Sequence, residues 1–189
     1  MRRYVVTIIF LLLTVDPARS EELFPLWPEL DNIYRQWFSK HLNAMDEQPI
    51  MLGQSGSTYR FLWLRSFDNP ISVTVRCLES CNLSAKRLSG AGGYEPGEVS
   101  ESVSRVLSKT EQEEFQKLAQ ASHLFRGQPE SEIIGLDGAN WVFESAQADK
   151  YVAWNVWSPQ YEAQFKNFQN LCEYMIHLSG FKIEKDAFY

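Results

Sequence analysis

The stretch ISVTVRCLESCNLSAKRL, residues 71–88, decides the fold. Its first seven residues alternate. Ile71, Val73, Val75 and Cys77 fall on one face of an extended chain, and Ser72, Thr74 and Arg76 on the other. Leu78, Glu79 and Ser80 then lead into CNLSAKRL. Setting Cys77 opposite Cys81 places Val75 against Leu83 and Val73 against Ala85. That register keeps every apolar residue on one side, and a one-residue slip would turn a strand's apolar set to the wrong face. The two cysteines are then directly opposed, at a separation that suits a disulfide.

The neighbouring segments extend this hairpin. TYRFLWLRSF (58–67) reads as a strand, joined to Ile71 by the turn residues Asp68, Asn69 and Pro70. A weaker strand is expected within EVSESVSRVL (98–107). Ser108 and Glu111 have the S-x-x-E spacing of a capping box, followed by Phe115, Leu118 and Ala119 on one helical face. GLDGANWVFES (135–145) opens a second hairpin with its turn at Ala148–Asp149. There Trp141 faces Val156, Phe143 faces Trp154 and Ser145 faces Val152, which sends Tyr151 and Trp157 to the other face. A first helix is expected in WPELDNIYRQWFSKHL (27–42), with Pro28 in its first turn and Leu30, Ile33, Tyr34, Trp37, Phe38 and His41 as its stripe. A last helix is expected from SPQYEAQF (158–165), with Ser158 as N-cap, Pro159 next, and Gly180 closing it. Its stripe is Tyr161, Phe165, Phe168, Leu171, Cys172 and Met175. The order α-β-β-β-β-α-β-β-α, with strands grouped in hairpins, implies an α+β fold: an antiparallel sheet of about six strands with helices packed on one face.

Residues 1–20 are of a different kind. Arg2 and Arg3 precede an apolar run from Tyr4 to Val15, and DPARS then supplies small residues at Ala18 and Ser20. This is the layout of a secretory signal peptide cleaved near Ser20, with retention as an anchor the alternative. The expected mature chain, 21–189, is a single domain that is periplasmic or secreted and carries no integral membrane span; the apolar run is shorter than a span of about 20 residues. Removing Arg2, Arg3, Arg19 and Asp16 from 18 basic and 24 acidic residues leaves 15 and 23, a formal charge of −8. Such a domain is a poor match for nucleic acid.

Several chemistries can be weighed on spacing alone. The glycine run SGAGGYEPG (89–97) lacks the third glycine of a dinucleotide fingerprint, because Glu95 stands there. It also lacks a phosphate loop's Lys and Ser/Thr, because Glu98 and Val99 follow Gly97. A bend or bulge at the sheet edge is the expected role, and no cofactor is implied. Cys77, Cys81, Cys172, His41, His123 and His177 show no metal-ligand spacing, so no metal site is expected. Export favours a Cys77–Cys81 disulfide and leaves Cys172 unpaired. Paired with a histidine Cys172 could be a nucleophile, but it lies on an apolar stripe, where an inert thiol is expected. His177, five residues further along the helix, would point away from it. Among the carboxylates Glu132, Asp137 and Glu144, the strongest catalytic candidate is Asp137, set between Gly135 and Gly138. Tyr151 and Trp157, turned away from the expected core, are candidates for a binding patch.

The phrases YRFLWLRSF, LSGAGGYEPG, GLDGANWVFES, WSP and YMIHLSGF run in this order over roughly residues 59–181. In that arrangement the chain resembles a group of small, uncharacterised exported bacterial proteins. The resemblance implies a bacterial origin and a single domain, and it assigns no site residue. Since no catalytic set converges, the expected function is binding, in the form of an inhibitor or immunity-type partner of another envelope or secreted protein. The alternatives are a cell-envelope hydrolase using Asp137, or Cys172 with a histidine, and a glycan or lipid binder.

Overall fold

The two hairpins meet in one sheet. In the computed structural model, which describes residues 23–133, 135, 137–184 and 188, the helices are α1 (Asn32–Ala44), α2 (Lys109–Ala121) and α3 (Lys166–Ser179). The strands are β1 (Ser57–Arg65), β2 (Ile71–Cys77), β3 (Cys81–Leu88), β4 (Val99–Val106), β5 (Ala139–Gln147) and β6 (Lys150–Trp157). The leader expected over residues 1–20, with its cleavage point, lies outside the described residues. The strands pair antiparallel in the order β4-β3-β2-β1-β5-β6, so the fold is α+β with the expected order of elements.

The registers follow from side-chain alternation. Cys77 faces Cys81, Val75 faces Leu83 and Val73 faces Ala85, and the cysteines are joined by a disulfide. In the other hairpin Trp141 faces Val156 and Phe143 faces Trp154. These residues share a face with Phe61 and Trp63 of β1, against Phe115 of α2 and Phe165, Phe168, Leu171 and Met175 of α3. Phe168 is the hub of that core, with ring centroids 5.2 Å from Trp154 and 5.8 Å from Phe143. Ser108 and Glu111 close the expected capping box on α2.

Only two of the three helices share that face, which corrects the expectation of helices on one side. Helix α1, with the segment from Leu23 to Leu30, covers the opposite face through Phe24, Phe38 and Leu42, packed on Leu62, Leu64 and Val142. The cause lies in β1 and β5. They are neighbouring interior strands of the sheet and are buried along both faces, so their second face also needs a cover. Two helix starts also move. Asp31 caps α1 through its side chain, so Pro28 lies ahead of the helix and Ile33 and Tyr34 are exposed. Residues 158–165 form two short 3₁₀ turns, and α3 starts at Lys166. Ser158 adopts a left-handed conformation (φ 43°) and caps no helix, and Tyr161 is exposed.

The second face contains an ion pair. Arg60 of β1 and Glu144 of β5 are directly opposed and are 1% and 2% exposed. Arg60 Nε donates to Glu144 Oε2 at 2.8 Å, its Nη2 donates to the same oxygen, and its Nη1 donates to the Gln48 carbonyl at 2.8 Å. Tyr151 Oη donates to Glu144 Oε1 at 2.7 Å. Burial, then the Glu144 charge, pushes the Tyr151 phenol far above its usual range, so Tyr151 stays a donor. Removing one member of such a pair strands a buried charge. Glu144→Ala is expected to lower the unfolding free energy by about 3–5 kcal/mol, and Arg60→Met with Glu144→Leu to recover most of it. Urea denaturation of the three proteins checks this.

Candidate functional site

Strand β1 ends at Arg65, β5 begins at Ala139 and β6 ends at Trp157, all at one end of the sheet. Three corners there are locked together. Ser66 N–H donates to the Gly138 carbonyl at 2.9 Å, and Gly138 N–H donates to Ser66 Oγ at 3.2 Å. Ser158 N–H donates to the Ala139 carbonyl at 2.9 Å, and Ala139 N–H donates to Ser158 Oγ at 3.1 Å. The left-handed turn at Ser158 therefore serves the corner. A Cβ on Gly135 or Gly138 would come within 2.5 or 2.6 Å of the Trp157 indole, so the two glycines flanking Asp137 leave the ring its place.

The glycine run reaches the same end from the far side of the sheet. The β3–β4 ladder shifts register at Arg87/Leu88, as a bulge would, and the loop then folds back over the end of β1. Gly92 N–H donates to the Asp68 carbonyl and Gly93 N–H to the Ser66 carbonyl. A Cβ at Gly92 would lie 2.5 Å from the Arg65 carbonyl oxygen, so this contact needs glycine. From α1, Trp37 Nε1 donates to the Gly92 carbonyl at 2.8 Å.

Between these segments lie two adjoining hollows of about 190 and 230 Å³ that share Phe67 and Asp137. The first adds Ser158 and Tyr161, and the second adds Trp37, Tyr94 and Trp157. Phe67, Tyr94 and Tyr161 are 61%, 62% and 68% exposed, and the Phe67 and Tyr94 rings lie 6.1 Å apart. Large rings this open are unusual on a surface that has no partner. Asp137 is exposed between them. The site is thus an aromatic cleft with one carboxylate in its wall.

The structure brings two of the sequence candidates together, Asp137 and Trp157. Tyr151 sits at the other end of β6, about 20 Å away along the strand, in the Arg60–Glu144 network. Glu144 is used up in that network, and Glu132 lines neither hollow, so neither joins Asp137. Cys172 is fully buried, and burial pushes its thiol well up, so it offers no thiolate. Sequence reasoning missed Phe67, Tyr94 and Tyr161. Their one signal was an aromatic within turn composition, in SFDNP, GGYEPG and SPQY. A larger hollow of about 720 Å³ lies at the opposite end of the sheet, between Tyr59, Gln147 and polar side chains of α2. It is lined by His123 but by none of Asp137, Tyr151, Trp157 and Cys172. Among the described residues no group of three or more His, Cys, Asp or Glu side chains is placed to hold a metal ion. No family model, curated protein or solved structure matches the chain.

Beneath the cleft, His41 is fully buried at 3.2 Å from Trp37 Nε1. Burial first, and the Lys40 charge second, lower its pKa to about 4 against opposition from the Gly92 carbonyl and Glu95. The folded protein therefore keeps His41 neutral at a pH where the unfolded chain, at an ordinary pKa of 6.5, binds a proton. Stability from this source is complete above about pH 6.5 and is lost as pH falls toward 4. Between pH 7 and pH 5 the expected loss is about 2 kcal/mol. The Glu111 carboxyl, held at about 2 chiefly by Arg105, contributes only in a lower window, from about 4.5 down to 2. Urea midpoints at pH 7, 6 and 5 should fall in the wild type and stay level in His41→Gln.

Proposed function

We propose that this is an exported bacterial protein that acts by binding, and that the cleft around Asp137 takes a sugar chain. The observation that carries the reading is the cluster of three open rings around a single carboxylate. The C–H face of a pyranose packs on an aromatic ring, while its hydroxyls need fixed acceptors such as a carboxylate. Trp157 and Trp37 supply further ring surface in the wall. Enzymes that cleave glycosidic bonds generally act through two carboxyl groups flanking the bond, and Asp137 is the one carboxylate among the residues lining the two hollows. The cleft is therefore suited to holding a glycan. Export is supported by the layout of residues 1–20 and by the Cys77–Cys81 disulfide, which belongs to an oxidising compartment.

The same exposure favours a second reading, an inhibitor or immunity-type contact with an envelope or secreted protein. Exposed tyrosines are typical energetic anchors of protein interfaces. The two readings separate experimentally. Titration with soluble β-1,4-linked glucose and N-acetylglucosamine oligosaccharides, followed by calorimetry and tryptophan fluorescence, is expected to give saturable binding. Tyr94→Ala and Asp137→Asn should each weaken it about tenfold or more, while Tyr151→Phe leaves it unchanged. A protein retained from envelope extract by wild type and lost with Tyr94→Ala, without any response to sugars, would replace the glycan reading with the second. No response of either kind would remove the cleft as a recognition site.

A further inference from the structure

The two edges of the sheet are treated differently. On β6 the Gln128 side chain pairs with the edge: Asn155 N–H donates to Gln128 Oε1 at 3.0 Å, and Gln128 Nε2 donates to the Asn155 carbonyl at 3.1 Å. That amide occupies the outward backbone groups of Asn155 and blocks another strand there. Among the described residues no side chain pairs in this way with Ser102 or Ser104 on β4. Almost all of it is exposed, including Val99 and Val106 at its two ends. Leu107 N–H donates to the Cys81 carbonyl, so by alternation along the ladder residues 105, 103 and 101 bond to β3. Ser102 and Ser104, on the regular side of the register shift, therefore point their backbone groups outward, and their small side chains leave room for a second strand.

We infer that β4 is the interface for a second copy of this chain, paired antiparallel with its own β4 about a twofold axis at Val103. In that register Ser102 lies opposite Ser104 of the other copy, which satisfies the outward backbone groups of these two serines in both strands. Val103 meets Val103, and Glu101 meets Arg105. Charge complementarity selects this axis. Within one chain Arg87 binds Glu101 at 2.7 Å and Arg105 binds Glu111 at 2.7 Å. Pairing about Val103 aligns them as Arg87, Glu101, Arg105 and Glu111, alternating in sign across the junction. An axis at Ser102 would set Glu101 against Val103 and break the row. The contact is isologous and closes on itself as a dimer with a continuous twelve-stranded sheet. If the cleft is the recognition site, the dimer carries two of them, near opposite edges of the joined sheet, and can hold two points of one polymer.

Sedimentation equilibrium of the purified protein tests this without reference to any ligand. The expected result is a monomer–dimer equilibrium with a dissociation constant on the order of 10 µM. Ser102→Pro removes an outward N–H and leaves the β3 ladder intact, so it should weaken the dimer roughly thirtyfold through two symmetry-related bonds while circular dichroism stays unchanged. Glu101→Arg, a second variant that spares the backbone, should also shift the protein toward monomer. Val103→Cys places two thiols in a closely spaced pair and should cross-link to dimer under mild oxidation, whereas Glu101→Cys should not. A monomer at every soluble concentration with no Val103→Cys cross-link overturns the proposal. So does a dimer indifferent to Ser102→Pro and Glu101→Arg.

Discussion

The buried contact between Arg60 and Glu144 is the constraint on which the arrangement of layers depends. An ion pair at this depth is tolerated only when nearly every donor and lone pair is used. Glu144 meets that condition with Arg60 and Tyr151, and Arg60 with Glu144 and the Gln48 carbonyl. The Phe24 ring lies 5.7 Å from the guanidinium carbon. The pair thus ties two neighbouring interior strands to the chain that precedes them. Without the segment from Leu23 and helix α1 the second face would expose both charges and the apolar residues beside them. A half-covered sheet becomes a three-layered domain for that reason.

How legible a segment was in the sequence depended on whether its apolar residues mark one face or both. Strands β2 and β3 carry their apolar residues on one face only, so alternation alone predicts the Cys77–Cys81 register and the turn, and the expected export adds the disulfide. Strand β1 reads as an extended run, yet TYRFLWLR does not say that both its faces are covered, nor by what. The charged pair was invisible for the same reason. Arg60 and Glu144 look like ordinary solvated residues until β1 and β5, 84 positions apart, are set side by side. The start of α3 failed on local grounds. Ser-Pro reads as a cap, but the Ser158 hydroxyl accepts from Ala139 across the corner, and that tertiary bond displaces the helix start to Lys166.

The candidate site was legible in fragments. Asp137 stood out by its place between Gly135 and Gly138, and Trp157 because the hairpin register turns it away from the expected core. Their meeting is a property of the second hairpin, since the start of β5 and the end of β6 coincide. The other rings arrive on loops from distant parts of the chain, and no periodicity records that. The glycine run shows this most clearly. Its composition resembles a phosphate loop, but what it needs is close backbone approach to the end of β1, which carries Tyr94 to the cleft and gives Trp37 its acceptor.

The cleft's frame and its rim obey different physical requirements. Ser66, Gly138, Ala139 and Ser158 bond one another through backbone and hydroxyl groups, so the corners are fixed before any ligand arrives. The rings of Phe67, Tyr94 and Tyr161 project from that frame into solvent. A ligand that packs on them therefore orders a few side-chain torsions and no backbone, which keeps the entropic cost of binding low. The frame also explains a local cost that the chain accepts. A serine at φ 43° is unfavourable by itself, and such a conformation persists where surrounding bonds over-determine it. Here those bonds run to Ala139, beside the carboxylate and the glycines that seat Trp157. The Ser158 turn, the glycines that seat Trp157 and the three open rings meet at the end of the sheet where β1 and β6 stop and β5 begins, and the clustering of those rings and glycines distinguishes the cleft from the larger hollow at the other end, which has a left-handed residue of its own in His123.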